Sequence, residues 1–542
     1  MNILTANLCR QSSGLWLMAC AGLLGACGSK SDSDTHTGGA GAGNLGSSGM
    51  ASAGAGDAAG TAGTSGAASN AGSGGTASSA GAANTAGSGG AASLTVSVTP
   101  HPILVGDAGK VFNVADDFFD DGFVPPSPLA NFCFHTPIIP LVRADGGVDV
   151  AWLDYAGGKG KPFGLPAIGM INITHIDAGL TMGTTAATGI KSYSLLGFTV
   201  DPSGNFYVAY NADSSFKTTT KDDPNNVPGN ELRVAKSTGA DFGTKAWDKL
   251  IFGDVDNTKD LSKGNAGAAG SGVLGYDVMN QKLVLYVAHQ MAWGDNGTRH
   301  QAGFFSYIDP ATGTAMAPGG GAPLNTGAGW FYSHNFDQRL FVDGGVAYVL
   351  GHGDAFPRQL GFAAWTPSSF SQKNSTTFDK AYFTIDGTEG DNDTNAETGQ
   401  LLKLKDGSFA LIHTSSQGRA ARDVHIVLAN GTTGVTVSDA WLTMNAAHLE
   451  ATMPKLEVLN DALFVSYGLW DSTNRTNKKI DWYWQLLDSS LKPLAPAKAM
   501  PDVEFVAGSP LLHFTTGANA GGIGWVSGNA SHTLSVNVVS AR

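Results

Sequence analysis

One short pattern recurs seven times between residue 135 and the end of the chain, and this repeat limits the folds open to the sequence. In each copy a strand leads into a tight turn of Asp, Asn or Gly, and a second strand rich in Val, Tyr, Phe and Ala follows. The copies begin at His135, Ser194, Ser271, Ser333, Glu397, Glu450 and Ser509. A unit of this size cannot bury a core alone, so the copies must pack against one another.

The repeat predicts an all-β fold, because no long segment shows an apolar period of 3.6 residues. Seven units of a few antiparallel strands each predict a seven-bladed β-propeller at residues 94–542. We expect a segment near its start, LTVSVTP at 94–100 or KVFNVADD at 110–117, to complete the last blade. Closing the ring in this way removes exposed sheet edges. A pair of β-sandwiches is the alternative architecture.

The chain begins with features of a secretory signal. Arg10 precedes an apolar run at residues 15–26, which is too short to span a bilayer as a helix. The run ends in Leu-Gly-Ala-Cys at residues 24–27, which resembles the lipobox of bacterial lipoproteins. The resemblance implies that residues 1–26 are a signal peptide and that the thiol of Cys27 is acylated. In the alternative, the signal is an ordinary one and Cys27 is incidental.

The residue after Cys27 is glycine and not aspartate. By resemblance to Gram-negative lipoproteins, this implies a cell-envelope protein held at the outer membrane by its lipid. The protein would then face either the periplasm or the outside, and the membrane would be its first partner.

Residues 27–93 predict a disordered tether between the anchor and the folded domain. From Thr37 onward they are almost wholly Gly, Ala, Ser, Thr and Asn, which cannot bury enough apolar surface to offset the entropy of ordering. Cys133 is the only cysteine of the folded domain, so no disulfide can form within it. The formal net charge of −13 argues against a nucleic-acid partner. We expect a monomer.

Polar side chains recur at the ends of the predicted strands, on the side of the blades away from the tight turns. Each blade's first strand starts on this side and its second strand ends there, so these residues share one rim around the central channel. The ligand-binding candidates are His135, His289, His334, His352, Asp354, Arg358, His413 and Glu450. Two interpretations stay open: the residues connect neighbouring blades, or the rim binds a ligand in a concave mouth.

A divalent metal is a candidate cofactor. In DNDTNAE, Asp391, Asp393, Asn395 and Glu397 stand at alternate positions, as oxygen ligands do in Ca²⁺ loops. The loop lacks the sixth-position glycine, where Ala396 stands, and no glutamate occupies the twelfth position. Imidazoles and carboxylates of the rim would instead suit another divalent metal. The alternative is a solvated polar loop.

The folded domain contains no recognised catalytic motif. Gly-x-Ser-x-Gly, His-Glu-x-x-His, the P-loop and the dinucleotide fingerprint are all missing from it. The sequence therefore favours a protein that binds a glycan, peptide or protein on its polar rim over an enzyme. The first alternative is a hydrolase or lyase of an extracellular polysaccharide, with His334 or His352 as general base and Arg358 stabilising charge. The second is a purely structural envelope protein.

Overall fold

The described part of the chain is built of seven antiparallel sheets, arranged as the blades of a seven-bladed β-propeller. The structure is a computed structural model, and it describes residues 96–105, 138–154, 169–192, 194–217, 228–252, 272–293, 298–316, 335–353, 359–371, 377–385, 396–471, 473, 478–506, 508–529 and 532–541. The all-β propeller predicted from the repeat is confirmed. The predicted signal peptide and tether, residues 1–93, lie outside the described residues.

Blades 1 to 6 are simple up-and-down meanders in which the first strand lies innermost. Blade 1 contains β2 (Ile138–Val142), β3 (Val148–Asp154), β4 (Gly169–Ile176) and β5 (Gly183–Ser192). Blade 2 contains β6 (Ser194–Val200), β7 (Phe206–Lys217), β8 (Pro228–Ser237) and β9 (Trp247–Phe252). Blade 3 contains, within the described residues, β10 (Gly272–Asp277), β11 (Lys282–Trp293) and β12 (Thr298–Ile308).

The next three blades repeat this order. Blade 4 contains β13 (Asn335–Asp343), β14 (Val346–Gly353), β15 (Gln359–Trp365), the short helix α1 (Pro367–Ser371) and β16 (Phe378–Thr384). Blade 5 contains β17 (Ala396–Lys403), β18 (Phe409–Ser415), β19 (Asp423–Ala429) and β20 (Thr436–Trp441). Blade 6 contains β21 (Leu449–Leu459), β22 (Ala462–Asp471), β23 (Lys478–Leu487) and β24 (Lys498–Ala499).

Blade 7 joins the two ends of the folded domain. Its C-terminal strands are β25 (Leu512–His513), β26 (Ile523–Asn529) and β27 (Thr533–Ala541), and its outer strand is β1 (Val96–Leu104). β1 runs antiparallel to β27 from the pair Val96–Ala541 to the pair Leu104–Thr533. The expected N-terminal completion of the last blade is therefore confirmed for residues 96–100 of LTVSVTP, while the alternative at 110–117 lies outside the described residues.

The hydrophobic core lies in the seams between blades and not in one central mass. In the seam between blades 3 and 4, for example, Phe305 stacks on Trp365 with ring centroids 4.7 Å apart, and Phe370 of α1 packs on both Phe305 and Tyr307. Each such buried aromatic contributes about 1.5–3 kcal/mol through the removal of apolar surface from water. β3, β18 and β19 are buried along their whole length, since middle strands are covered by the blades on both sides.

Innermost strands carry a β-bulge near their start in several blades. The register shifts between Phe336 and Arg339 in β13, between Thr398 and Leu401 in β17, and between Thr452 and Lys455 in β21. The residues of the second strands that pair just before these bulges are His352, His413 and Gly468. The bulge thus identifies His352 and His413 as equivalent residues of neighbouring blades.

No helix of the described residues is long and apolar enough to cross a membrane.

Candidate functional site

The upper face of the propeller is defined here as the side where each innermost strand begins and each second strand ends. It is the face on which the sequence predicted the polar rim. The structure places His352, His413, Glu397 and Glu450 near this face, but all four are buried, with at most 6% of each residue exposed. His289 lies on β11, where its backbone pairs with Ala302.

The other candidates lie outside the described residues. They are Cys27, His135, His334, Asp354, Arg358, Asp391, Asp393 and Asn395.

A row of hydrogen-bonded side chains crosses blade 5 at its upper end. His413 of β18 pairs directly with His425 of β19, and Nε2 of His413 lies 3.2 Å from Nδ1 of His425. Nε2 of His425 lies 2.8 Å from a carboxylate oxygen of Asp439 on β20. The side chain of Asp439 is 53% exposed, whereas His413 is fully buried. The row therefore connects a buried imidazole to solvent.

Asp439, the charged end of the row, determines which ring nitrogen carries the proton when His425 and His413 are neutral. The carboxylate of Asp439 accepts a hydrogen bond, so Nε2 of His425 carries the proton and its Nδ1 is an acceptor. His413 must then donate from Nε2, which leaves a lone pair on its Nδ1. That Nδ1 is buried and has no hydrogen-bond partner among the described residues.

Burial keeps both imidazoles neutral. It lowers the pKa of His413 well below the usual value, and the neighbouring His425 and His352 lower it further. Burial also lowers the pKa of His425, although the hydrogen bond to Asp439 opposes this effect. His413 therefore presents a neutral, unprotonated Nδ1 at physiological pH.

Aromatic rings and an arginine enclose this row. The indole of Trp441 stacks on His425 with centroids 4.3 Å apart, and Phe383 lies 4.4 Å from the ring of His413. The guanidinium of Arg419 lies 4.2 Å from the centroid of Trp441, forms an ion pair with Asp423 and donates to the carbonyl of Thr443. Arg419 is thus held in place by three contacts.

A second cluster surrounds Arg422 in the seam between blades 5 and 6. Arg422 is only 3% exposed, and its backbone N–H donates to Oε2 of Glu450 at 2.7 Å. Its Nη1 lies 3.6 Å from Oε2 of Glu397. Its Nε is buried and has no hydrogen-bond partner among the described residues. Two carboxylates from the innermost strands of neighbouring blades therefore contact Arg422, Glu397 at its guanidinium and Glu450 at its backbone N–H.

The two carboxylates have unlike surroundings. Glu397 accepts hydrogen bonds from Oγ1 of Thr452 at 2.6 Å and from the backbone N–H of Met453 at 3.1 Å, and such donors favour the ionised form. Glu450 accepts one hydrogen bond, from Arg422. Burial raises the pKa of Glu450 and Asp423 adds to the rise, while the N–H and charge of Arg422 oppose it. Glu397 thus lies among donors that favour a carboxylate, whereas Glu450 is biased towards its protonated form.

The contacts of Glu397 fit a seam residue better than a Ca²⁺ ligand. Both of its oxygens accept hydrogen bonds from blade 6, which leaves them poorly placed for a cation. The residues that the structure describes contain no group of three His, Cys, Asp or Glu side chains placed to hold a metal. The metal loop at 391–395 stays a prediction.

His425 and Asp439 were not among the site residues predicted from the sequence. The sequence did contain a signal for His425. In a hairpin centred on Arg419, residues 413 and 425 are both six positions from the centre and therefore pair. Asp439 lies on β20, which pairs with β19. In this pairing Val427 lies opposite Asp439, and His425 lies opposite Trp441. Its bond to His425 is diagonal and cannot be read from the spacing.

Comparison with known proteins identifies no family for this chain. No family model and no curated protein matches the chain. Among solved structures, the chain is similar to a PL25 ulvanlyase, a polysaccharide lyase, at 11% identity and a TM-score of 0.40, covering 68% of this chain and 81% of that one. It is similar to the Bacillus subtilis arabinanase Arb43A at 13% identity and a TM-score of 0.27, covering 65% and 95%. For Trypanosoma rangeli sialidase the values are 12% and 0.35, covering 64% and 54%.

Proposed function

We propose that this chain is a lipid-anchored envelope protein whose propeller hydrolyses an extracellular polysaccharide at the upper face, in the seam between blades 5 and 6. The observation that carries the proposal is the pair of carboxylates, Glu397 and Glu450, beside Arg422. Glycoside hydrolysis uses one protonated and one ionised carboxyl group, and different environments keep the two apart. The unlike surroundings of Glu397 and Glu450 supply this difference.

The environments also assign the roles. Glu450 is the general acid, because burial favours its protonated form and it can donate that proton to the oxygen of the leaving sugar. Glu397 remains ionised through its donors and stabilises the positive charge that develops on the sugar ring. Arg422 holds Glu450 through its backbone and Glu397 through its side chain, so it positions the pair.

The row of imidazoles favours a second candidate function, a polysaccharide lyase. β-Elimination from a uronate needs a base that removes the proton next to the carboxylate. His413 has a lone pair on Nδ1, and His425 and Asp439 offer its proton a route to solvent. This candidate requires substrate to reach an imidazole with no exposed surface, whereas the proposed acid Glu450 keeps 6% of its surface exposed, so hydrolysis ranks above it.

A panel of neutral and acidic polysaccharides tests the proposal. The full chain in non-ionic detergent is incubated with each glycan, and new reducing ends and unsaturated, ultraviolet-absorbing products are measured. A hydrolase produces reducing ends without unsaturation, whereas a lyase produces both together. If the protein binds a glycan but no new reducing ends form, the enzyme proposal is contradicted. The chain would then be a binding protein, which is the function that the sequence favoured.

The membrane anchor is tested separately. We expect the wild-type protein to partition with membranes and the Cys27→Ser variant to be released, because the acyl chains supply the anchor. Equal membrane partitioning of the two proteins would contradict lipid anchoring at this residue.

A further inference from the structure

A cavity of about 220 Å³ lies at the centre of the propeller. Its walls come from the innermost strands of blades 1 to 5 and from the segment around Gly508. Apolar residues dominate these walls, among them Ile139, Leu141, Phe198 and Leu274. Among the lining residues that the structure describes, Arg339 of β13 is the only charged one.

Arg339 is fixed in place but keeps donors free. Its Nη1 donates to the carbonyl of Gln338 and its Nη2 to the carbonyl of Thr398, both at 3.0 Å. A guanidinium has five N–H groups, so three remain beyond these two. No carboxylate of the described residues forms an ion pair with Arg339. A cation on such an apolar wall gains strongly from an anionic partner, because the local dielectric constant is lower than that of water.

Gln400 of β17 brings a second donor group to the same cavity. Its Oε1 accepts a hydrogen bond from the backbone N–H of Leu456 at 3.2 Å. This contact determines the orientation of the amide, so that Nε2, with two N–H groups, is the free end. Arg339 and Gln400 come from neighbouring innermost strands, and both residues line the cavity. A cavity lined by two donor-bearing residues and apolar walls suits an anion that has an apolar part.

We propose that the central cavity binds a small organic carboxylate, whose oxygens accept from Arg339 and Gln400 and whose hydrocarbon part packs against Ile139, Leu141 and Phe198. The carboxylate suits the planar fork of a guanidinium, which can donate to both of its oxygens. This site is distinct from the Arg422 cluster and does not rest on the proposed hydrolase activity.

Calorimetric titration of the full chain with sodium butyrate, at constant ionic strength, tests the site. We expect saturable binding to the wild type and at least tenfold weaker binding to Arg339→Met, which loses the charge. Gln400→Glu is the second variant: it keeps the acceptor for Leu456 and supplies an internal carboxylate for Arg339, so it should fold well and also bind at least tenfold more weakly. Inorganic sulfate, which lacks an apolar part, should bind more weakly than butyrate.

The matched control is Lys405→Met, which removes one positive charge from an exposed lysine paired with Asp461. It should bind butyrate as the wild type does. No butyrate binding to the wild type, or unchanged binding in Arg339→Met and Gln400→Glu, would overturn the proposal. Sulfate binding as tight as that of butyrate would overturn the assignment to an organic carboxylate.

Discussion

His413 shows how burial sets the chemistry of a single side chain. Its strand is buried along its whole length, and the upper end of that strand holds an imidazole where the rest of the strand is largely apolar. Because the carboxylate of Asp439 fixes the proton on His425, the lone pair of His413 is on Nδ1. The sequence predicted that His413 lies near the upper face. It could not predict its burial, because the covering Tyr382 and Phe383 belong to the preceding blade.

The lowered pKa of His413 makes the stability of the fold depend on pH. The unfolded chain protonates this imidazole below its ordinary pKa of about 6.5 while the folded chain does not, so stability falls as pH drops below that value. The expected slope is about 1.4 kcal/mol per pH unit. Denaturant unfolding at pH 7.5 and 5.5 should show a smaller loss in His413→Gln than in the wild type. Equal losses in the two proteins would contradict a neutral, buried His413.

At the scale of the strand, the bulges of the innermost strands show which positions of the blades correspond. The position of His413 in blade 5 corresponds to Gly468 in blade 6, and there the ring of Trp470 occupies the space. The spacing of the repeat predicted the strands and their turns. It could not predict contacts such as the one between Glu397 and Thr452, because they join blades across 55 residues of sequence.

A methyl group at position 468 should disturb blade 6. A Cβ added to Gly468 would lie 1.9 Å from Trp470 and 2.9 Å from Trp482, which are both buried rings that cannot move freely. We expect Gly468→Ala to lower the free energy of unfolding by about 1–3 kcal/mol, measured by denaturant titration. Gly239→Ala is the matched control, because nothing lies within 4 Å of an added Cβ there. Equal stability of the two variants would contradict the close packing of these rings.

At the scale of the whole molecule, one strand pairing joins the two ends of the folded domain. β1 and β27 are far apart in sequence, and their pairing completes blade 7 and closes the ring. This closure could be predicted from the sequence, because the edge strand of the last blade needs a partner strand. The central cavity was not predictable, because it exists only where strands from five blades meet.

A disulfide across this closure should stabilise the whole propeller. Ser97 and Ser540 are directly paired, and their hydroxyl oxygens lie 3.2 Å apart. The double variant Ser97→Cys with Ser540→Cys should form a cross-link under oxidising conditions and gain about 2–4 kcal/mol, because it restricts the unfolded chain. Thermal unfolding with and without reductant measures the gain. A cross-linked protein with no rise in Tm would contradict closure as a determinant of stability.

The most direct test of the central claim is the kcat/KM of Glu450→Gln on a glycan that the wild type cleaves. Glutamine keeps the acceptor for the N–H of Arg422 but cannot donate a proton to the leaving sugar. The account predicts at least a ~100-fold loss of kcat/KM with unchanged thermal stability. The wild-type kcat/KM should fall as pH rises through the raised pKa of Glu450. The control variant is Asp406→Asn, in the exposed turn after β17, and its kcat/KM should equal that of the wild type. Full activity in Glu450→Gln would contradict the claim that this carboxyl group is the acid of the reaction.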